Sequence, residues 1–306
     1  MRDILVIGSS NTDLIATMEN FPVKGETIEG LVFQQAMGGK GANQAMAAHK
    51  SGGNVSFVTC LGNDINGRSA IDYYKQEGLD VTLSLLIDDV PSGTAMIWVD
   101  SKGDNSIVII PGANAKLNSD YILKLEEHIT KASVVVLQME IPLQTIETIC
   151  SLAHKNNTMV MLNVAPATQL SDNLLQTIDI LVVNKNEAET LTGIKVETGK
   201  EEVVVDLLLD KGVKTVLLTL GEKGSILKNQ GNIYFVPAYR VKAIDTTAAG
   251  DTFCGAFIAE YMRKQDFVKA LEFATAASAI CVTRMGAQPS IPNQAEVNKF
   301  QEKEKL

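Results

Sequence analysis

"SVVVLQMEIPLQTIETICSLAHKNNTMVMLNV", residues 133–164, contains two short apolar runs separated by one amphipathic stretch. The apolar runs, 133–140 and 158–164, have the length and composition of buried strands. Between them, residues 143–156 repeat apolar side chains at helical spacing. A strand, a helix and a second strand in this order predict a unit in which the two strands run parallel, with the helix packed on one face.

The same alternation extends through most of the 306 residues. The other predicted buried strands are 3–8, 55–62, 179–184 and 215–221. The other amphipathic stretches are 41–52, 67–77, 118–130, 187–192 and 200–212. We therefore predict an α/β fold over residues 1–306, a three-layer sandwich with a mainly parallel central sheet flanked by helices. Ligands of such folds bind at the carboxyl ends of the strands.

Two segments, roughly 12–36 and 91–111, interrupt this alternation. Both contain short apolar runs joined by Pro, Gly and Asp turns, with no helical pattern between them. We interpret them together as a small β-sheet that projects from the main body. Such a sheet could be a lid over a site, a dimer surface or both, because its edges or its apolar face need a cover.

Composition narrows the class of protein. With 45% hydrophobic and 21% charged residues, the chain is typical of a soluble globular protein. A net charge of −9 argues against nucleic acid or an anionic membrane as the main partner. The N-terminal "MRDILVIGSSNTD" has too short an apolar run for a signal peptide, and no later run approaches membrane-spanning length. We expect a cytoplasmic protein.

Cysteine and histidine chemistry is also disfavoured. The four cysteines, Cys60, Cys150, Cys254 and Cys281, show no paired spacing. This predicts reduced, buried thiols rather than disulfides or a zinc site. The three histidines, His49, His128 and His154, lie outside any Gly-rich or polar turn, so a nucleophile triad or a histidine metal site is not expected.

Residues 245–251, "DTTAAGD", lead into the apolar stretch "TFCGAFIAEYM". The apolar positions of that stretch fall on one face at helical spacing, which places Asp251 in the first turn of a helix. A bare helix entrance exposes unpaired N–H groups and a partial positive charge, so it suits an anion such as phosphate. The alternative is an ordinary helix cap.

Further polar groups occur where predicted strands end: Asn11 and Asp13, Glu140, Asn184 with Glu187 and Glu189, and Thr219 with Gly221 and Gly224. Carboxylates and amides suit a polyhydroxylated ligand, although each residue alone is typical of a solvated loop. A second glycine-rich loop, "MGGKGANQA" at 37–45, places Lys40 and Asn43 before a helix. It fits neither the dinucleotide fingerprint nor the Walker A loop, because Gln44 replaces the third glycine of the former and Gly41 the Ser or Thr of the latter.

Two of these motifs resemble the signatures of a known family. "GGKGANQA" at 38–45 resembles the N-terminal signature, and "DTTAAGDTFCGAF" at 245–257 the C-terminal signature, of the PfkB family of carbohydrate kinases. "GSSNTD", "NVAPA", "NKNEAE", "TLGEKG" and "VTRMGAQPSIP" occur in the expected order before, between and after these signatures, so the resemblance covers nearly the whole chain. Asn11 with Asp13, Glu140 and the ending "GAQPS" are most similar to the family members that phosphorylate ribose.

The resemblance implies ATP-dependent phosphorylation of D-ribose at its 5-hydroxyl, with Asp251 as the catalytic base and the 248–250 turn (Ala248, Ala249, Gly250) as an anion hole. Ribose would contact Asn11, Asp13, Gly39, Lys40, Asn43, Glu140 and Asp251. ATP would contact Asn184, Thr219, Gly221, Glu222, Lys223, Gly224, Gly250 and Thr275. Glu187 would act near Mg²⁺ through water, and K⁺ would be held by Asp245, Thr247, Cys281, Arg284, Gly286 and Ser290. The resemblance also implies a homodimer joined through the lid sheets.

Two small departures from the family pattern are Val183, where proline is frequent, and Cys281, where alanine is common. The alternatives are another kinase of the family, acting on deoxyribose, fructose or a nucleoside, and a sugar sensor that has lost catalysis. The hydroxyl-binding position implied for Asp13 favours ribose over deoxyribose. Retention of Asp251, Gly250 and Lys40 disfavours the sensor, and the missing fingerprint disfavours a nicotinamide-dependent dehydrogenase.

Overall fold

The computed structural model describes residues 2–304, so the first residue and the last two residues of the predicted domain, 1–306, lie outside the described part of the chain. Its strands are β1 (Asp3–Ile7), β2 (Asn11–Thr17), β3 (Val32–Gly38), β4 (Asn54–Val58), β5 (Cys60–Gly62), β6 (Leu85–Ile87), β7 (Gly93–Val99), β8 (Asn105–Ile110), β9 (Val134–Gln138), β10 (Met159–Asn163), β11 (Ile180–Asn184), β12 (Thr215–Thr219), β13 (Ser225–Asn229) and β14 (Ile233–Val236).

Its helices are α1 (Lys40–Lys50), α2 (Ile65–Gln76), α3 (Ser119–Lys124), α4 (Glu126–Lys131), α5 (Leu143–Lys155), α6 (Asp172–Leu175), α7 (Lys185–Thr192), α8 (Glu201–Asp210), α9 (Ala249–Lys264), α10 (Phe267–Cys281) and α11 (Gln294–Glu304). None of the helices described within residues 2–304 has the length and apolar character needed to cross a membrane.

The main sheet has eight strands in the order β14-β13-β12-β11-β10-β9-β1-β4. From β12 to β4 every neighbouring pair is parallel, which confirms the predicted mainly parallel sheet. The hairpin β13–β14 adds two antiparallel strands at one edge, which the sequence analysis did not identify. β13 (SILKN) has only two apolar residues and β14 (IYFV) only four residues in all, a weaker signal than the continuous apolar runs of the parallel strands.

Side-chain alternation along each strand builds two cores, one on each face of the sheet. On β1, Ile4 and Val6 belong to the core beneath α1, α9 and α10. Leu5 and Ile7 belong to the core beneath α4, α5 and α8. Because both faces are covered, the strands are apolar throughout, and the three-layer sandwich predicted from the sequence is confirmed.

The two interrupting segments each contribute two strands to a separate four-stranded sheet, ordered β3-β2-β7-β8. The apolar run at 55–62 differs from its prediction as one strand, because it divides into β4 and β5, and β5 pairs with β6 in a sheet of its own. The stretch at 118–130 likewise divides into α3 and α4, which meet at Leu125.

Helices α1 and α9 pack side by side at an unusually short distance. A Cβ atom at Gly255 would lie 2.6 Å from the Cβ of Ala47 and 2.7 Å from the backbone nitrogen of Ala48, so only glycine fits there. The contact places the N-termini of both helices at the carboxyl ends of the parallel strands. The glycine-rich loop and the "DTTAAGD" turn, far apart in sequence, thereby face one cleft.

Candidate functional site

Asp251 lies at the centre of the site, in the first turn of α9, as predicted. Its side chain is only 7% exposed. Asn43 Nδ2 donates a 3.0 Å hydrogen bond to its Oδ2, and Gln44 Nε2 a 3.0 Å bond to its Oδ1. Each carboxylate oxygen therefore has an amide donor from α1.

Around Asp251 the structure brings together three further charged residues predicted from the sequence. Burial, together with the charges of Glu140 and Asp251, raises the pKa of the Asp13 carboxyl to about 7. The Asp251 carboxylate raises the pKa of the Lys40 ammonium above its ordinary value, against the opposing effect of burial. Asp13, Glu140 and Asp251 thus form a part of the site that is rich in hydrogen-bond acceptors, and Lys40 supplies a positive charge there. We call this part the acceptor-rich corner.

Asn11 and Glu140 each have one polar atom committed to the protein. Asn114 Nδ2 donates a 2.8 Å bond to Asn11 Oδ1, which leaves the Asn11 NH₂ group as a donor for a ligand. Ser9 Oγ and the Lys40 backbone N–H donate to Glu140 Oε2 at 2.5 and 3.0 Å, so Oε1 is left to accept. Asn11 and Glu140 line one cavity of about 350 Å³, which thus offers both a donor and an acceptor, as a polyhydroxylated ligand requires.

The glycines of the "GGKG" loop allow its backbone to approach these groups. Gly39 has φ +91°, and a Cβ there would lie 2.8 Å from the backbone nitrogen of Asn11. A Cβ at Gly38 would overlap the Asp13 carboxylate. The glycines of this loop therefore leave the space that Asp13 and Asn11 occupy.

A second cleft, of about 440 Å³, lies on the other side of Asp251. Of the residues predicted to contact ATP, it is lined by Asn184, Thr219, Gly221, Glu222, Gly224, Gly250 and Thr275. Lys223 is absent from this lining, and its ammonium donates instead to the Thr198 hydroxyl. Apolar side chains including Val241, Phe253 and Val282 complete the cleft, which suits a flat heteroaromatic group.

The N-terminus of α9 opens into this cleft. Ala248 precedes it in the left-handed conformation, with φ +58°, and provides no side-chain cap. Within residues 2–304, the amide groups of Gly250 and Asp251 donate no backbone hydrogen bond, whereas that of Ala249 donates to Thr246 O at 3.2 Å. A Cβ at Gly250 would meet open space. Unpaired N–H groups beside open space form an anion site, which distinguishes this turn from the ordinary cap considered above.

Glu187 and Asn184 form a capping box at the start of α7. Both carboxylate oxygens of Glu187 accept from Asn184, at 2.7 Å from its backbone nitrogen and 2.8 Å from its Nδ2. Burial raises the pKa of Glu187, although the nearby Lys40 opposes this effect.

The residues predicted to hold a monovalent cation converge behind the α9 entrance. Asp245 accepts from the Thr247 N–H at 2.9 Å and from the Gly286 N–H at 2.8 Å, bonds that help to lower its pKa although burial opposes them. Cys281 Sγ lies 3.0 Å from Ser290 Oγ and 3.7 Å from Thr247 O. The backbone N–H of Arg284 donates to Cys281 O, while its guanidinium donates to the Glu296 carboxylate. Among residues 2–304, no group of three or more His, Cys, Asp and Glu side chains is placed to hold a metal ion.

Comparison with known proteins identifies the family. The model of the pfkB family carbohydrate kinases matches residues 1–294. The chain belongs to this family. It is 40% identical to the ribokinase of Haemophilus influenzae over 98% of this chain and 99% of that protein, and 37% identical to the deoxyribokinase of Salmonella typhimurium over 97% and 98%. The structure of Arabidopsis thaliana ribokinase complexed with ribose and ATP matches with a TM-score of 0.91 at 34% identity, covering 98% of both chains. The protein is therefore a kinase, a phosphotransferase.

Sequence reasoning missed several buried amides of this kinase's site. Gln44 was noted only because it breaks a dinucleotide fingerprint, and Asn114, Gln138 and Asn163 were not singled out. All four are at most 8% exposed. Polar side chains inside otherwise apolar strands, as in "VVVLQ" and "MVMLN", were the available signal.

Asp13→Asn should stabilise the protein at high pH. Asp13 has a pKa of about 7 in the folded protein, against about 3.9 when unfolded. Its ionisation therefore costs stability, beginning near pH ~4 and reaching its full extent above pH ~7. We expect the variant to raise the Tm at pH ~8 by roughly 2–4 °C for each kcal/mol gained, with the gain shrinking toward pH ~4.

Thermal unfolding across this pH range measures the effect, with exposed Asp72→Asn on α2 as the control. A gain that is equal at every pH, or equal in the control, would contradict the raised pKa.

Proposed function

We propose that the protein transfers the γ-phosphoryl group of ATP to the 5-hydroxyl of D-ribose, giving D-ribose 5-phosphate. The observation that carries the proposal is the position of Asp251. Its carboxylate acts on Asp13 and Lys40 in the acceptor-rich corner, and its neighbour Gly250 lines the cleft at the N-terminus of α9. A hydroxyl bound in the first would face an anion bound in the second, across the group that can take its proton.

The sugar side favours ribose. Within residues 2–304 the Asp13 carboxylate accepts no side-chain or backbone hydrogen bond, so both its oxygens are free for ring hydroxyls. A ligand that lacks one of these hydroxyls would leave a buried carboxylate oxygen unpaired, which is costly. Asn11, Gly39, Lys40, Asn43 and Glu140 would bind the remaining polar groups. Deoxyribose is the second candidate, because a deoxyribokinase is among the relatives.

The second cleft fits ATP. Its volume and its mixture of apolar walls and glycine-rich turns suit a nucleotide, and the unpaired amides at Gly250 and Asp251 suit a phosphate. ATP would supply the phosphoryl group. Asn184, Thr219, Glu222 and Thr275 would orient it, with Lys223 at the rim.

In the chemical step, the Asp251 carboxylate accepts the proton of the attacking 5-hydroxyl. Phosphoryl transfer has a loose transition state, so positioning and charge stabilisation contribute more than base strength. The amides at the start of α9 stabilise the charge that develops on the transferred group, as an oxyanion hole does. The small side chains of Ala248 and Ala249 keep that approach open.

Two metal ions would assist. The Glu187 carboxylate suits Mg²⁺ bound through water, because its oxygens already bond Asn184 and direct coordination would break the capping box. Asp245, with the backbone oxygens near Thr247, Cys281 and Gly286, offers the hard oxygen ligands that K⁺ prefers. Arg284 and Ser290 would support this loop, and the Cys281 side chain matters little if its carbonyl is the ligand.

We further propose a homodimer formed by the outer face of the four-stranded sheet, opposite Asp13, with this sheet also serving as the lid. Register places Leu14, Met96 and Val108 side by side on this face, with Trp98 one pair further along. Met96, Trp98 and Val108 are 43%, 39% and 58% exposed. Contiguous apolar surface of this kind is typical of an interface.

The substrate proposal is tested with ribose, deoxyribose, fructose and adenosine, each with ATP and Mg²⁺, in the presence and absence of K⁺. We expect the highest kcat/KM for ribose, a lower value for deoxyribose because Asp13 loses a partner, and activation by K⁺. ADP release in a coupled assay measures turnover. A higher kcat/KM with another substrate would mean that ribose is not the preferred substrate of this family member. ADP release with none of the four compounds would support the sugar sensor.

Asp251→Asn should keep the fold and sugar binding but lower kcat by about 10²–10⁴-fold, since the proton acceptor is lost. Calorimetry with the sugar and the coupled assay separate the two effects. Asp72→Asn is the control for a charge removed from the surface. Near-normal turnover of the Asp251 variant would refute the base assignment.

Trp98→Glu should convert the dimer into a species of 33.0 kDa, because a carboxylate on the apolar face is costly to bury in an interface. Sedimentation velocity measures the mass. Val203→Glu, at a 51% exposed position on α8, is the control and should stay dimeric. A wild type that sediments as a monomer would overturn the interface.

A further inference from the structure

The Gln44 side chain belongs to a buried chain of amides that ends on Asp251. It is fully buried, one residue beyond Asn43 on α1. Its Nε2 donates to Asp251 Oδ1 at 3.0 Å and to Asn163 Oδ1 at 3.1 Å. Its Oε1 accepts from Gln138 Nε2 at 2.9 Å. The remote strands β9 and β10 thus make contact with the carboxylate of α9 through one side chain.

The direction of these bonds is fixed by chemistry. An ionised carboxylate only accepts, so Gln44 must turn its NH₂ group toward Asp251 and its carbonyl toward Gln138. Gln138 must then donate, and its own Oε1 is buried with no hydrogen-bond partner among residues 2–304. That oxygen occupies the space where a Cβ at Gly8 would lie. This chain of side-chain amides therefore ends in an unpaired buried oxygen on Gln138, while its other end keeps a donor on Asp251.

We propose that Gln44 is a positioning residue for the catalytic step: it holds Oδ1 of Asp251 so that the carboxylate is correctly turned toward the acceptor hydroxyl. The proposal rests on the proposed function, in which Asp251 is the base. Gln44 can continue to donate to Asp251 after Asp251 has taken the proton of the acceptor hydroxyl. The proton transfer therefore needs no additional group. Asn43, which donates to Oδ2, lies next to the acceptor-rich corner, whereas the Gln44 side chain is fully enclosed by protein.

Other charged or ionisable groups also act on Asp251. They are Asp13 on β2, Lys40 on α1, Glu187 on α7, Cys254 on α9 itself and Cys281 on α10. Gln44 differs from all of them because it is neutral and hydrogen-bonds directly to the carboxylate. Replacing it changes the local hydrogen bonding and leaves each of these groups in place.

The test compares Gln44→Met, which keeps the length and removes the donor, with Gln44→Glu, which adds a negative charge beside Asp251. We expect Gln44→Met to lower kcat about 10–100-fold with a small change in the KM of the sugar. The acidic limb of the pH profile of kcat/KM should move to higher pH in both variants, and further in Gln44→Glu, because a like charge disfavours ionisation of the base.

Thr145→Val is the matched control, since Thr145 is buried and its hydroxyl donates to Leu117 O in the opposite core. It also loses one buried hydrogen bond, but its pH profile should be that of the wild type. Circular dichroism verifies that each variant is folded. An acidic limb that stays in place in folded Gln44→Met and Gln44→Glu overturns the inference.

Asp251→Asn separates this failure from failure of the proposed function. If that variant loses the acidic limb while the Gln44 variants keep it, Asp251 is the base and Gln44 does not position it. If Asp251→Asn keeps both its turnover and its acidic limb, the base assignment itself is wrong, and the inference falls with it.

Discussion

The approach of α1 to α9 is the constraint on which the site depends. Gly255 and Ala47 allow the two helix backbones to come so close that no side chain separates them. Asn43 and Asp251, which are 208 residues apart in the chain, can therefore share a hydrogen bond. A wider spacing would leave a buried carboxylate without its donors, at a cost of several kcal/mol. The hydrogen bonds of the site therefore require the close packing of α1 against α9.

The carboxylates of the site also depend on groups that the fold holds in place. Asp13, Glu140, Asp251 and Glu187 all act on one another or on Lys40. A single ammonium cannot neutralise this set, so the protein uses neutral donors: the amides of Asn43 and Gln44, the Ser9 hydroxyl and the entrance of α9. Dipoles held in place by the fold stabilise anions without adding cations, and they leave the acceptors free for a neutral sugar.

The sequence predicted the elements whose signal is local. The parallel strands are continuous apolar runs, and the first turn of α9 is marked by "AAGD". The division of 55–62 into two strands was not predictable, because its apolar run does not show which sheet each half joins. Nor was the chain from Gln138 through Gln44 to Asp251, since it depends on the packing of α1 over β9 and β10. The resemblance supplied the residue roles, and the structure shows how those residues meet.

The pleat of β2 links the two faces of the four-stranded sheet. Asp13 points to the site, while its neighbours Thr12 and Leu14 point to the opposite, outer face of the same sheet. Substitutions on the outer face therefore act on the same strand that carries Asp13. A displacement of β2 caused by a change on the outer face would therefore be transmitted to Asp13 through the strand backbone.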